Sequence, residues 1–399
     1  MKIFVVNCGS SSIKYQLFSM TNEKVLAKGL VERVGTNDAR IKFESADSSA
    51  EHRLDAPDHT AAMKHILEAL VDPRYGVLEN IDEIEAVGHR VLHGGEKIHE
   101  SMLIDDRVKS IIREYFQLGP LHNPANLMGI EASMKAMPGK PNVAVFDTAF
   151  FATMPPKAFR YAVPNEWYER YHVRKYGFHG TSHRFVTGQA SIDLGKSLDQ
   201  LNIISVHLGN GCSVTATHNG KAVDHSMGLT PLEGLMMGTR SGDLDPAVMP
   251  YMMKQANLSG ADIDRILNKE SGLLGVSGTS NDMRDLLKRS EAGDVHAATA
   301  IEMFVYRIIK YIGAYFTIMP ACDALIFTGG IGENSVIIRR MVCEGLKNIG
   351  VKFDEKRNEQ IVGGKKGTIT ENHSPLPVWV IPTNEELVIA RDTRRIVAG

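Results

Sequence analysis

The chain has 399 residues, 43% hydrophobic and 23% charged, with a formal net charge of −2 at pH 7. That length exceeds what a single hydrophobic core serves, so two domains are expected, and the near-neutral balance excludes a long polyanion such as nucleic acid as the main partner. Cys8, Cys212, Cys322 and Cys343 form no CxxC pair, which points to a reducing, cytoplasmic setting rather than a disulfide framework.

The chain opens on Ile3-Phe4-Val5-Val6, an apolar run too short for a signal peptide. Residues 3–15 read as strand, small-residue turn, strand, which is a hairpin signal. Helical periodicity then spans 60–71, followed by a strand at 85–92, helices at 105–118 and 123–136, and a strand at 142–146. A domain boundary is expected near 148–152. A second hairpin occupies 203–215, with helices at 259–269, 281–292 and 296–319. The last of these belongs to the longest apolar stretch, which Glu302, Arg307 and Lys310 interrupt; it reads as a buried helix, and no membrane span is expected. A strand at 324–328 leads into a glycine-rich turn that opens a helix at 335–346. A strand at 377–381 precedes a terminal helix at 384–398, expected to pack back on the first half. Strands interleaved with helices predict an α/β fold.

The two hairpins repeat at an offset of 200 residues: IFVVNCGSSSIKY at 3–15 and IISVHLGNGCSVT at 203–215. Asn7 and His207 each stand two residues before a glycine. Two such copies, half a chain apart, suggest a duplicated domain. Three glycine-rich turns follow strand-like runs: Gly9-Ser10-Ser11-Ser12, Gly209-Asn210-Gly211 and Gly329-Gly330-Ile331-Gly332-Glu333-Asn334. Glycine lets backbone N–H groups wrap an anion. One such turn is equally well a plain turn, but three favour a nucleotide. Gly363-Gly364-Lys365-Lys366-Gly367-Thr368 lacks P-loop spacing, and Gly330-x-Gly332-x-x-Ser335 only approximates a dinucleotide fingerprint.

Arg90 and Arg240 lie in glycine-rich loops, where a guanidinium can grip carboxylate or phosphate bidentately. A solvated surface arginine is the alternative for each. His179 and His183 have the H-x3-H spacing of a zinc site, yet no HExxH helix or cysteine partner accompanies them. Hydrogen bonding to a phosphoryl oxygen suits these loops better. Asp147 and Glu385 follow strand-like runs, where α/β sheets gather ligands. One or two such carboxylates suffice for a magnesium ion that keeps waters and phosphates.

Taken together, these segments closely resemble the acetate kinase family over essentially the whole chain. The resemblance is carried by 7–14 (NCGSSSIK), 89–95 (HRVLHGG), 146–150 (FDTAF), 176–183 (YGFHGTSH), 207–211 (HLGNG), 282–284 (DMR), 329–334 (GGIGEN) and 383–387 (TNEEL). It implies a duplicated ribonuclease-H-like fold of the actin-like ATPase and sugar kinase superfamily, with the nucleotide in an interdomain cleft. The first domain would be 1–148 plus 386–399, and the second 149–385. It also implies a homodimer.

Carried over by motif, Asn7 and Glu385 would hold Mg²⁺ or Mn²⁺. ATP or ADP would contact Lys14, the turn His207, Leu208, Gly209, Asn210 and Gly211, then Asp282, Met283 and Arg284, and finally Gly330, Ile331, Gly332, Glu333 and Asn334. Arg90 would bind the carboxylate, with Asp147, His179 and Arg240 at the transferring phosphoryl group. Leu92, Leu121, Phe178 and Pro231 would line an apolar pocket. The family often has valine at the first of these, so Leu92 should shrink the pocket and favour acetate. The implied reaction is ATP plus acetate giving acetyl phosphate and ADP. A carboxylate is already ionised at pH 7 and needs no general base, so Asp147 is expected to position magnesium, an arginine or a water. Rival readings are a propionate or butyrate kinase of the same fold, a non-catalytic actin-like ATP-binding protein and a zinc hydrolase.

Overall fold

Alternating β-branched and apolar residues on either side of a turn of small residues fold as paired strands in both halves. In the computed structural model, which describes every residue except Leu121, β1 (Lys2–Cys8) and β2 (Ser12–Ser19) form the first hairpin. Leu121, assigned above to the substrate pocket, lies outside the described residues. The first sheet continues with β3 (Lys24–Glu32), β4 (Arg40–Ser45), β5 (Ser49–Arg53), β6 (Ile84–Val91), β7 (Met102–Leu103) and β8 (Asn142–Phe146). The second is built from β9 (Ile203–Leu208), β10 (Cys212–His218), β11 (Lys221–His225), β12 (Ala324–Thr328), β13 (Gly367–Thr368) and β14 (Val378–Val380).

The strand orders are β5-β4-β3-β2-β1-β6-β8-β7 and β11-β10-β9-β12-β14-β13. Within them β3-β2-β1-β6-β8 and β11-β10-β9-β12-β14 are the same core, three antiparallel strands followed by two parallel ones. This is the ribonuclease-H-like pattern, present twice. The duplication is not at a constant offset, however. Cys8 pairs with Ile13 but Leu208 pairs with Cys212, so the second turn is one residue shorter. Because strand side chains alternate faces, that single residue matters: Lys14 corresponds to Ser213, not to Val214.

The chain divides into unit 1, Met1–Phe150 with Asn384–Gly399, and unit 2, Phe151–Thr383. In unit 1, the helices His59–Leu70 and Asn123–Ala136 pack on the sheet and on each other. The terminal helix Glu385–Ala398 lies on β6, β1 and β8. Its start is fixed by Asn384, whose side chain accepts from the Leu387 N–H at 3.0 Å, and by acidic Glu385 and Glu386 in a first turn that favours negative charge. In unit 2, the helix Val295–Ile318 buries Ala297, Ala300, Ile301, Phe304, Val305, Ile308, Ile312 and Tyr315, the three-and-four spacing of one face. Burying each of the larger of these stabilises by roughly 1.5–3 kcal/mol. Glu302, Arg307 and Lys310 fall off that stripe. Among the described residues no helix is long and apolar enough to cross a membrane.

Two expected elements differ. The segment Gly329–Asn334 is itself a short helix rather than a turn opening the next one, which runs Val336–Gly345 with Ser335 as its N-cap. The helix expected over 105–118 ends at Glu114 and tightens into a 3-10 turn, Tyr115–Gln117. The sequence reading also missed the helix Gly180–Leu194, whose buried face is Gly180, Thr181, Ser182, His183, Val186, Thr187 and Ala190. That face is largely polar, so hydrophobic periodicity does not reveal it.

The seat of the terminal helix depends on Gly88 in β6. A Cβ there would stand 2.7 Å from Ile389 Cγ2 and would also collide with Thr393 Oγ1. Gly88→Ala is expected to destabilise the protein by about 1–3 kcal/mol through overpacking, read as a lower urea midpoint. An unchanged midpoint would show that the helix shifts freely on the sheet.

Candidate active site

In unit 2 the turn after β9, the start of the helix Met283–Glu291 and the short helix Gly329–Asn334 enclose a cavity of about 820 Å³. Its walls include Gly209, Asn210, Asp282, Met283, Arg284, Gly330, Ile331 and Asn334, all singled out in the sequence. They also include Asn281, Leu287, Ser335, Val336 and Ile337, which were not. Apolar Met283, Leu287, Ile331, Val336 and Ile337 beside a few amides and one arginine suit a heteroaromatic base with a polar sugar. Arg284 is held by its neighbour, with Nη2 2.6 Å from Asp282 Oδ2. The hydrogen bond from Arg284 keeps the Asp282 carboxyl at about 2.

His207, Leu208, Gly211, Gly332 and Glu333 are not among the walls of this cavity. Leu208 is core. Glu333 Oε1 instead accepts from the backbone N–H groups of Gly329 at 2.8 Å and Thr383 at 3.1 Å, so it fixes the loop rather than facing the cavity. Beneath the short helix lies Arg339, fully buried. It donates to the carbonyls of Gly332, Glu333, Asn358 and Ile361 and to Asn358 Oδ1. Burial pulls its pKa down to about 10, and carbonyl oxygens, not a carboxylate, compensate the charge.

Beside the cavity the second hairpin presents a polar, buried face. Period-two alternation puts Ser205 and His207 of β9 on the same side as Ser213 and Thr215 of β10, with Ser213 opposite His207 and Thr215 opposite Ser205. Histidines pack against this face. His179 Nδ1 lies 2.9 Å from Ser213 Oγ, and His183 bonds Ser205 Oγ at 2.7 Å and Ser213 Oγ at 2.8 Å. The Phe178 N–H donates to His225 Nε2 at 3.1 Å, which leaves His225 Nδ1 to donate to Thr215 Oγ1 at 2.8 Å. Ser182 Oγ and His207 Nδ1 are 2.8 Å apart, and the rings of His179 and His207 stack at 4.4 Å. Burial holds His183 and His225 well below the usual imidazole range, so both are neutral at pH 7. His179 itself has φ 59°, a left-handed backbone uncommon outside glycine and found at functional sites.

Arg240 is brought to the same place by a loop threaded through close contacts. The Gly238 N–H bonds the Asn210 carbonyl at 3.0 Å and the Met237 N–H bonds the Arg240 carbonyl at 3.1 Å. A Cβ on Gly272 would stand 2.7 Å from the Arg240 carbonyl oxygen, so only glycine lets the loop lie there. Arg240 Nη1 donates to the Pro231 carbonyl at 2.5 Å. Among the described residues, no carboxylate lies within ion-pair distance of Arg240. Burial depresses its pKa, with Cys212 opposing weakly. A Cβ built on Gly211 would meet Arg240 Nη2 at 2.8 Å and His179 Nε2 at 3.1 Å, so two potential donors converge on one glycine. The pattern is that of an anion site.

Unit 1 carries a different arrangement. Arg90, at the end of β6, puts Nη2 2.6 Å and Nε 3.4 Å from the two oxygens of Asp147, which follows β8 and is fully buried. Glu385 Oε2 lies 3.9 Å from Arg90 Nε. Burial works against the guanidinium charge, but Asp147 and Glu385 outweigh it and hold Arg90 above its ordinary value. Asn7 lies in β1 opposite Lys14, and Lys14 Nζ is paired with Glu386. Leu92 is buried, its N–H bonded to Asn126 Oδ1 at 3.0 Å. Asn126 also donates to the Cys8 carbonyl at 2.8 Å, tying the end of β6 to the first glycine turn. Asn123 braces the next residue in the same way, accepting from the His93 N–H and donating to the His93 carbonyl, each at 3.0 Å; neither asparagine was legible in the sequence, because each looks like an ordinary helix residue. Of the remaining pocket residues, Phe178 is buried and Pro231 partly buried, both in unit 2.

Removing Arg90 would take from the buried Asp147 carboxylate its guanidinium partner. Arg90→Met is expected to lose about 3–5 kcal/mol of stability. Adding Asp147→Asn should recover much of that loss in a double-mutant cycle by urea unfolding. Simple additivity of the two changes would mean that the pair is not coupled.

The chain matches the acetokinase family over residues 2–391. It is 53% identical over 394 residues to the acetate kinase of Finegoldia magna, covering 98% of this chain and 99% of the relative. The crystal structure of Porphyromonas gingivalis acetate kinase superposes with a TM-score of 0.96 at 46% identity, covering 99% of each chain. A propionate kinase structure from Francisella tularensis gives 0.93 at 40% identity, again covering 99% of each. With this full-length likeness added to the duplicated fold and the converging donors, the chain belongs to the acetokinase family and is a phosphotransferase with a carboxyl group as acceptor.

Proposed function

We propose that the chain transfers the γ-phosphoryl group of ATP directly and in line to acetate, reversibly, giving acetyl phosphate and ADP. The observation that carries this reading is Arg240: a partly buried guanidinium with no carboxylate within ion-pair distance among the described residues, converging with His179 Nε2 on Gly211. Such a group is stabilised when an anion arrives, and a phosphoryl group in transit spreads charge over its equatorial oxygens.

ATP occupies the 820 Å³ cavity, its base against Leu287, Ile331 and Ile337 and its phosphates towards Gly209–Gly211. Arg90 takes the acetate carboxylate. Asp147 engages the Nε and Nη2 edge of that guanidinium and fixes its plane, which leaves Nη1 for the substrate; Asp147 is a positioning group. The carboxylate attacks as it stands, since it is already ionised. Arg240 and His179 donate to the phosphoryl oxygens as charge builds.

Among the described residues, no cluster of three His, Cys, Asp or Glu side chains forms a metal cage. Asn7 and Glu385 instead offer hard oxygen donors at the ends of β1 and the terminal helix. That fits Mg²⁺, or Mn²⁺, held chiefly by phosphates and waters. The ion, when bound, supplies neutralisation of the phosphate charge. Leu92 makes the acyl pocket small. Acetate is preferred and propionate tolerated, because one methylene is worth only about 1–3 kcal/mol. The Francisella relative, a propionate kinase, keeps the larger acid as the second reading.

We also place the enzyme in the cytoplasm as a homodimer. The helix Val248–Gln255 buries none of its residues, and Val248, Met249, Tyr251, Met252 and Met253 are exposed along it beside Leu244 and Met303. An apolar patch of this kind marks an interaction surface. Tyr251→Glu with Met252→Glu should convert a dimer to a monomer by light scattering; an unchanged mass would move the interface elsewhere.

The central test is hydroxylamine trapping of acyl phosphate across acetate, propionate and butyrate. Acetate should give the highest kcat/KM, and faster turnover of butyrate would refute the small pocket. In the same assay Arg240→Ala should lower kcat by about 10³–10⁵ with modest change in either KM. Arg90→Lys, which keeps a charge for Asp147 but loses the fork, should chiefly raise the acetate KM. If Arg240→Ala keeps kcat and raises only the ATP KM, the residue merely grips nucleotide.

A further inference from the structure

His179 is aimed by groups that never meet the substrate. Its Nδ1 faces Ser213 Oγ, and the same oxygen faces His183 Nε2; His183 Nδ1 in turn faces Ser205 Oγ. Ser205, His183 and Ser213 are fully buried. Among the described residues no carboxylate is bonded to any of the three, so this is a chain of neutral groups in place of the acid that usually orients a catalytic imidazole.

The proton count restricts what this chain can do. A hydroxyl has one O–H and two lone pairs; among the described residues the side-chain contacts of Ser213 Oγ are the two rings alone, so its O–H goes to one ring nitrogen and it accepts from the other. His183, neutral in its dry setting, has one N–H. For a neutral His179, two arrangements satisfy every bond of the chain. In one, Ser205 donates to His183 Nδ1, His183 Nε2–H donates to Ser213, and Ser213 donates to His179 Nδ1. The N–H of His179 is then on Nε2. In the other every bond is reversed, and Nε2 presents a lone pair. Nε2 is the atom that meets Gly211 together with Arg240 Nη2. An anion there is repelled by a lone pair and bound by an N–H.

We propose that Ser205, His183 and Ser213 form a positioning relay that places the proton of His179 on Nε2, where it serves as a neutral hydrogen-bond donor to the phosphoryl group. The proposal rests on the reading of His179 as a phosphoryl-oxygen donor, and it adds Ser213 and His183 as positioning residues. The backbone supports the same orientation. The Phe178 N–H bonds His225, whose other nitrogen donates to Thr215 on the same sheet face, and this holds His179 in its left-handed conformation.

The test is ¹⁵N NMR of histidine-labelled enzyme with ADP and inorganic phosphate as the probe, alongside steady-state kinetics. In the wild type, His179 should show a bare Nδ1 and a protonated Nε2. Ser213→Ala should mix the two tautomers and lower kcat roughly tenfold or more, with both KM values within about twofold. Ser213→Thr keeps a hydroxyl and should restore both signals. His183→Gln, whose amide reaches the position of Nε2, should be far milder than His183→Leu; this pair keeps the test decisive if Ser213→Ala fails to fold. A protonated Nδ1 on His179 in the wild type, or unaltered tautomer and kcat in Ser213→Ala, would overturn the relay. A shifted tautomer with wild-type kcat would uphold the relay and instead refute the role of His179 in transfer.

Discussion

A partly buried guanidinium that has no carboxylate beside it among the described residues is the constraint around which unit 2 is arranged. Arg240 has a carbonyl oxygen for company and a pKa depressed by its burial, so the folded state bears a desolvation cost that an anionic ligand would relieve. The rest of the unit holds it in that position. Gly272 lets the loop lie flat, Gly211 keeps the space in front of it clear, and Asp243 fastens the loop to the long helix by accepting from Tyr311 Oη at 2.8 Å and from the Gly234 N–H at 2.9 Å. Without these supports a lone arginine would turn to solvent.

Unit 1 treats its own arginine in the opposite way. Arg90 is fully compensated by Asp147 and approached by Glu385, which gives a rigid, oriented fork rather than a charge in need of a partner. The difference follows the work proposed for each: holding a small carboxylate needs geometry, whereas stabilising a group that gains charge in transit needs uncompensated donors. One duplicated core thus supports two electrostatic designs. The divergence begins in the hairpin turn, where the loss of one residue in the second copy puts Ser213 on the sheet face where the first copy has Lys14.

The polar face of β9 and β10 explains why unit 2 can place so many histidines in a dry interior. Every imidazole of the cluster finds a serine or threonine hydroxyl, and strand alternation supplies those hydroxyls in register. A buried polar network of this kind is stable only when satisfied throughout, and here satisfaction also fixes orientation. The same arrangement hid the helix Gly180–Leu194 from the sequence reading, since its inward face is built of Thr181, Ser182, His183 and Thr187.

By itself the sequence determined the α/β class, the two hairpins, the largely apolar strands β8 and β12 and the long helix Val295–Ile318, because burial of apolar side chains at period 2 or 3.6 is a local property. Ordered motifs likewise pointed to Arg90, Asp147, His179, Arg240 and most walls of the cavity beside Gly209 and Gly330. Tertiary structure alone decided who faces whom. That Asp147 grips Arg90, that Arg240 has no carboxylate beside it among the described residues, that Gly211 is where Arg240 and His179 converge and that Arg339 props the short helix from below are facts of the packed fold. No periodicity records them. The physical reason is range: hydrophobic patterning is written along a few turns of chain, whereas a charge or a ring nitrogen takes its meaning from whichever distant group the packed fold places within about 3 Å of it.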